Sequence, residues 1–293
     1  MTTDLTLHTH GRDPADAPVV VLLHGFSDSG PSWADAIERF SDRYHVVAVD
    51  ARGHGESPRF TTDQLADPYE VMCADAVQVL ADLHAQTGRP SLLLGHSMGA
   101  SVAGNATARA PEFVAASVLE DPPWWLPVDG PSPWEREAQA AAEADPDPSE
   151  EEQNKRGLTA RPGSEEPTEP TVEERIEAQR VAAPEWPESE LRPWAVSKTQ
   201  LDADFAAGRR SRRRSAQSWP DVVAGLKTPT LLVTGTGSVL VRQDTWTEAE
   251  RLNPLLTTVV IEGANHCVRR DRGDAFHAAV DAFLAEHAPV VDA

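Results

Sequence analysis

The sequence predicts a doubly wound α/β fold on a mostly parallel sheet, interrupted by an inserted helical cap. Three observations carry that expectation. Short apolar runs bounded by Gly, Pro or charged residues recur along the chain. Helical patterns fall between them, and strand–helix alternation builds α/β layers. The alternation stops from Pro122 to about Ser215 and resumes after Trp219.

In chain order, Val19 to His24 (VVVLLH), Tyr44 to Val49, Ser91 to Gly95 (SLLLG) and Phe113 to Glu120 read as strands, with His8 and His10 in an N-terminal strand before them. Near-continuous apolar strands mark a parallel sheet covered on both faces. Ser32 to Ser41, Asp67 to Thr87 and Ser97 to Ala110 read as helices. The second is amphipathic, with Val71, Ala74, Val77, Leu80, Ala81 and His84 recurring every three or four residues. The interruption opens with DPPWWLP, holds Trp134, Trp186 and Trp194, and includes an acidic, Pro-rich tract from Glu143 to Pro170. Such a tract offers too little apolar surface to order itself. Two helices are expected beyond it. One starts near Thr171, where Thr171 and Glu174 fit a capping box, and the other covers Glu188 to Ala207. Thr230 to Thr234 is then a strand, Gln243 to Leu252 a helix, Thr257 to Ile261 a strand and Arg272 to His287 a final helix. The expected organisation is a core of residues 1–121 and 216–293 with a mostly helical cap, residues 122–215, between them.

The 293 residues are 40% hydrophobic, which suits a globular protein with a sizeable core. The net charge of −21 repels phosphate backbones and anionic headgroups, so neither nucleic acid nor a membrane is an expected partner. The run RRSRRR at Arg209 to Arg214 reads as a solvated helix end or internal ion pairing, with nucleic-acid binding or contact with an anionic substrate as alternatives. Cys73 and Cys267 make no disulfide framework and no CxxC zinc motif. With no apolar signal core at the N-terminus and no spanning run, the expectation is a soluble cytoplasmic protein. No feature specifies an oligomeric state.

Gly95-His96-Ser97-Met98-Gly99 follows an apolar strand and opens a helix. This is the G-x-S-x-G nucleophile elbow, where a strained turn lifts the serine hydroxyl clear of the sheet. The flanking glycines are required because a Cβ would clash across the turn. The helix N-terminus points free N–H groups at a developing oxyanion. His24-Gly25-Phe26 follows another strand. Its Phe26 amide, with that of Met98, forms the expected oxyanion hole. His24 is expected to hydrogen-bond its loop, and His54 to fix the Gly-rich turn after the second strand. In order and spacing, HGF, DARGHGES, GHSMG and the late GANHCVRRD resemble the α/β-hydrolase family. The likeness covers the core halves and leaves the insertion as that family's variable cap. It implies a serine nucleophile and no metal or cofactor. Related dehalogenases and epoxide hydrolases carry Asp at the elbow, and the Ser argues against both.

His266 follows a late strand and is the expected base, in a loop that returns over the sheet above the elbow. In the family the acid usually follows the strand TLLVT in a G-x-x-D turn. Here that turn reads Gly235-Thr236-Gly237-Ser238, and a neutral serine cannot offset an imidazolium. Asp121, at the tip of the strand beside the elbow's, is the preferred acid. Zearalenone lactonases are similar, with the acid after this strand, and the EDPPWW stretch resembles theirs. Asp244 is the rival, and Asp121 could instead cap the hinge of the cap. The expected activity is hydrolysis of a hydrophobic ester or lactone, with Trp124 and Trp125 as pocket walls or one of them packed in the core. Cleavage of C–C bonds or of peptide or amide bonds by the same triad, and a non-catalytic receptor, are the alternatives.

Overall fold

The computed structural model describes residues 3–124, 169–207 and 218–291. Its strands are β1 (Leu7–Gly11), β2 (Val19–Leu23), β3 (His45–Val49), β4 (Ser91–His96), β5 (Val114–Glu120), β6 (Thr230–Gly235) and β7 (Leu256–Ile261). They form one seven-stranded sheet in the order β1-β3-β2-β4-β5-β6-β7. Only β1 runs antiparallel, pairing with β3 at one edge. The other neighbours are parallel.

Side chains alternate across the sheet with period two. Val19, Val21 and Leu23 enter one core with α2 (Pro68–Thr87) and α3 (Met98–Arg109). Val20 and Leu22 enter the other, where Phe40 of α1 (Ala34–Ser41) and Phe276 of the C-terminal helix (Gly273–His287) lie. After β2 the chain goes first to β3 on one side and later to β4 on the other. The carboxyl ends of β2 and β4 therefore flank a switch point, the place where open α/β sheets put ligands.

The buried face of α2 differs from the expected one. Leu80 is buried as expected and Val71 and Val77 pack half-buried against the core, but Ala74 is exposed and the inward face centres on Tyr69, Met72, Cys73, Ala76, Val79 and Leu83. Both stripes are apolar at helical spacing, so packing on α3 and the sheet chose between them.

Between β5 and residue 207 the described helices are α4 (Val172–Ala182), α5 (Glu188–Ser197) and α6 (Ala203–Ala207). Thr171 and Glu174 form the expected capping box, each accepting the other's backbone N–H, at 3.2 and 2.8 Å. The helix expected over residues 188–207 is split in two. Asp202 breaks it by accepting from the Asp204 and Phe205 amides at 2.9 and 3.1 Å and from Phe60 N at 3.1 Å. That cap starts α6 and ties it to the loop after β3. The acidic tract as far as residue 168, Trp125, Trp134 and Arg209–Arg214 lie outside the described residues. The remaining helices are α7 (Trp219–Gly225), α8 (Gln243–Leu252), α9 (Val268–Asp271) and α10 (Gly273–His287). No helix among the described residues is long and apolar enough to cross a membrane.

Candidate active site

Ser97 stands between β4 and α3 with φ +53° and ψ −117°. Besides Ser97, Asp121 at φ +43° is the one described non-glycine residue with positive φ. Such backbone is strained for a side chain and persists only where the surroundings impose it. At the elbow they do. The Ser97 amide donates to Glu120 O at 2.8 Å, and a Cβ on Gly99 would run into the carbonyls of Leu23 and His24. Ser97 Oγ lies 3.0 Å from His266 Nε2, and His266 Nδ1 lies 2.7 Å from Asp121 Oδ2. A carboxylate facing Nδ1 selects the tautomer that leaves Nε2 to accept from the serine hydroxyl.

His266 reaches this point by crossing the end of β6. The loop after β7 lies against the GTGS turn, where Gly237 N donates to Ala264 O at 2.9 Å. A Cβ on Gly235 would collide with that same carbonyl. The turn's glycines let the histidine loop pass over one strand to meet residues at the tips of β4 and β5.

The side chain of Asp121 is fully buried. It accepts from Thr234 Oγ1 at 2.7 Å and from Ser238 Oγ at 2.7 and 2.8 Å, in addition to His266. Ser238, at the position where the family resemblance placed an acid, is thus a donor to the carboxylate on the neighbouring strand. Asp244 stays at the start of α8, accepting from Thr245 N at 2.9 Å. The structure brings Asp121, and not Asp244, to the imidazole.

Phe26 sits on the turn after β2. An ideal Cβ on the preceding Gly25 would stand 3.5 Å from the Ser97 Cβ, which places this turn beside the nucleophile. Phe26 O faces His54 Nε2 at 2.6 Å, and its ring lies 5.2 Å from that of Phe205. Met98 opens α3, so its amide has no carbonyl one turn earlier to bond. His24 Nδ1 donates to Gly25 O at 2.8 Å and Nε2 accepts from Ala51 N at 3.0 Å, a loop role as expected. Burial, with His24 beside it, pushes the His54 imidazole down to about 4. Burial likewise lowers His24 and His96. His96 packs on His266, ring centroids 4.9 Å apart, and its Nε2 donates to His266 O at 3.2 Å.

The sequence matches the alpha/beta hydrolase family over residues 20–279. The chain belongs to that family. It is 29% identical over 257 residues to the 2-(acetamidomethylene)succinate hydrolase of Mesorhizobium japonicum, across 88% of this chain and 84% of that protein. Among solved structures, an E-2-(acetamidomethylene)succinate hydrolase is similar with a TM-score of 0.67 at 24% identity, across 97% of this chain and 98% of its own. The enol-lactonase from Burkholderia xenovorans gives 0.66 at 19% identity, across 97% of both chains. At those identities the structural likeness speaks for the fold.

In this alpha/beta hydrolase Trp124, expected as a pocket wall, is only 3% exposed. It stacks on Trp219 with centroids 5.6 Å apart. The Pro-Pro turn after Asp121 sends it down into the core beside α3 rather than outward. Among the described residues, no cluster of three or more His, Cys, Asp or Glu side chains is arranged to hold a metal. Sequence reasoning missed Thr234 and Ser238, and also Arg269 and Arg270, which are almost fully buried. Adjacent arginines ordinarily mark a solvated surface.

Proposed function

We propose that this alpha/beta hydrolase transfers the acyl group of a hydrophobic carboxylic ester or lactone to water through an acyl-enzyme on Ser97. One observation carries the reading: an unbroken relay from a strained elbow serine through His266 to a buried carboxylate. His266 Nε2 takes the Ser97 proton as Oγ attacks the carbonyl. The amides of Phe26 and Met98 hold the oxyanion. Asp121 orients the imidazole and offsets its charge while the proton passes to the leaving oxygen. In the second half His266 deprotonates water, which attacks the acyl carbonyl and frees Ser97. An acid following β5 supports a place among members built like the zearalenone lactonases. We read residues 122–215 as a cap. In support, Phe205 of the described part lies within 5.4 Å of the His54 ring and 5.2 Å of the Phe26 ring, above the carboxyl edge of the sheet.

A second reading is cleavage of an amide or C–C bond by the same groups. It is favoured by the 29% identity to the 2-(acetamidomethylene)succinate hydrolase of Mesorhizobium japonicum. A panel holding an aryl ester, a lactone, 2-(acetamidomethylene)succinate and a β-diketone separates the two. Ser97→Ala is expected to lower turnover of the accepted substrate at least about 10³-fold and to abolish fluorophosphonate labelling. Activity within tenfold of the parent overturns the assignment of Ser97.

A further inference from the structure

Six charges lie behind the relay, five of them buried and the sixth, Lys198, half-buried, and the reaction as written uses none of them. Lys198 Nζ is 2.8 Å from Asp28 Oδ1, and Asp28 Oδ2 is 3.0 Å from Arg270 Nη2. Arg270 Nε donates to Glu190, which also lies 3.4 Å from Arg269 Nη2. Arg269 Nη1 reaches Glu120 Oε2 at 3.2 Å. The signs alternate along the run, so three cations meet three anions. Burial alone would raise the Asp28 carboxyl, yet Arg270, Lys198 and Arg269 hold it well below the usual carboxylate range. Buried ion pairs are a weak source of stability, because desolvation offsets most of their attraction. Their value lies in fixing one arrangement.

What this run arranges is legible from its neighbours in sequence. Glu120 precedes Asp121, Arg269 and Arg270 stand in α9 three and four residues after His266, and Asp28 follows Phe26 by two residues. Glu190 and Lys198 stand at the two ends of α5, in the segment between β5 and β6. The most direct contact is at Lys198. Its Nζ donates to Ser27 O at 2.9 Å, to Ser27 Oγ at 2.8 Å and to Asp28 Oδ1. An ammonium has three N–H donors, and all three are engaged by the chain itself. None is left for a substrate carboxylate, which separates a positioning role from substrate binding.

We propose that Lys198 is a positioning residue for the oxyanion hole: from the end of α5 it holds the Ser27–Asp28 peptide, and through it the Phe26 amide, in register with Ser97. The inference rests on the reading of Phe26 as an oxyanion donor. The Phe26 peptide is then gripped from two sides, by His54 at its carbonyl and by Lys198 one residue further on. Oxyanion donors act only within about 2.7–3.1 Å of the developing charge, so a loosened loop costs turnover. A misplacement of about 1 Å can cost about 10²-fold. Ground-state binding depends on that spacing far less.

The test uses the full chain with Lys198→Met and Lys198→Arg, on an aryl butyrate ester. The readouts are kcat, KM, inhibition by a trifluoromethyl ketone, which forms a tetrahedral oxyanion on Ser97, and inhibition by the product butyrate. Lys198→Met is expected to lower kcat about 10- to 100-fold with KM within about threefold. It should weaken the ketone by the same factor and leave butyrate unchanged, and Lys198→Arg should restore most of the loss. A kcat within twofold of the parent overturns the inference, as does an equal loss for ketone and butyrate. If Lys198→Met does not fold by circular dichroism, Lys198→Gln decides. It stays polar but is shorter and uncharged, so it cannot hold the Ser27 carbonyl and Asp28 together; a severalfold fall in kcat supports the role and an unchanged kcat overturns it. Fluorophosphonate labelling of the parent at Ser97 separates the two levels. A labelled parent with a full-rate Lys198→Met refutes this inference alone, whereas an unlabelled parent refutes the hydrolase reading and this with it.

Discussion

Asp121 receives hydrogen bonds from three side chains while its own backbone sits at φ +43°. A carboxylate so held cannot rotate to follow the imidazole, so the imidazole must come to it. Asp121→Asn keeps the shape and presents an amide that favours the wrong tautomer, and the expected loss in kcat/KM is about 10⁴-fold. Asp244→Asn, which alters only a helix start, is expected to stay within twofold. Steady-state kinetics on one ester ranks the pair, and the reverse order would move the acid to Asp244. Ser238→Asp, made with Asp121 intact, is expected to lower activity rather than raise it. With Ser238 Oγ at 2.7 and 2.8 Å from both oxygens of Asp121, a carboxylate there would repel the one already buried.

Elements, more than residues, carry the departures from the sequence reading. The apolar face read for α2 is rotated in the structure, leaving Ala74 exposed, because contact with α3 and the sheet sets which side turns inward. The expected long helix over residues 188–207 breaks where Asp202 finds donors on a distant loop. Trp124 follows the same logic. A tryptophan after a Pro-Pro turn can face out or in, and here Trp219 of α7 and the flank of α3 receive it. Trp124→Ala should therefore cost stability, about 3–5 kcal/mol in urea or thermal unfolding, because it empties packed volume. Selectivity between bulky and small esters should hardly change. A shift in selectivity at unchanged stability would return Trp124 to the pocket.

The molecule as a whole should weaken on mild acidification. Burial keeps His24, His54 and His96 neutral, with folded values below the ordinary imidazole value of about 6.5, and about 4 for His54. The unfolded chain then binds more protons than the folded one, so stability falls as pH drops from about 6.5 towards 4. The slope is about 1.4 kcal/mol per pH unit for each histidine within its window. Burial raises Glu120, which opposes this in the range just above 4.5. Asp28, held low, loses its contribution only at more acid pH. Thermal melts at pH 7, 6 and 5 should show a falling Tm. A Tm that is flat or rising across that series would mean these histidines are not buried neutral.

Local rules of spacing and turn chemistry were enough to read the strands, the elbow at Ser97, the base at His266 and the strand tip at Asp121 from the sequence. Apolar runs must be buried, and a G-x-S-x-G turn between strand and helix has few other uses. Only the tertiary structure decided which carboxylate meets the imidazole. Strand-end placement favoured Asp121 with Asp244 as the rival, and the choice depends on Gly235 and Gly237 letting the His266 loop pass over β6. It also decided that Ser238 supports an acid instead of replacing one, and that Arg269, Arg270 and Lys198 turn inward. A buried charge is tolerated only where opposite charges converge on it, and here they converge from segments far apart in sequence.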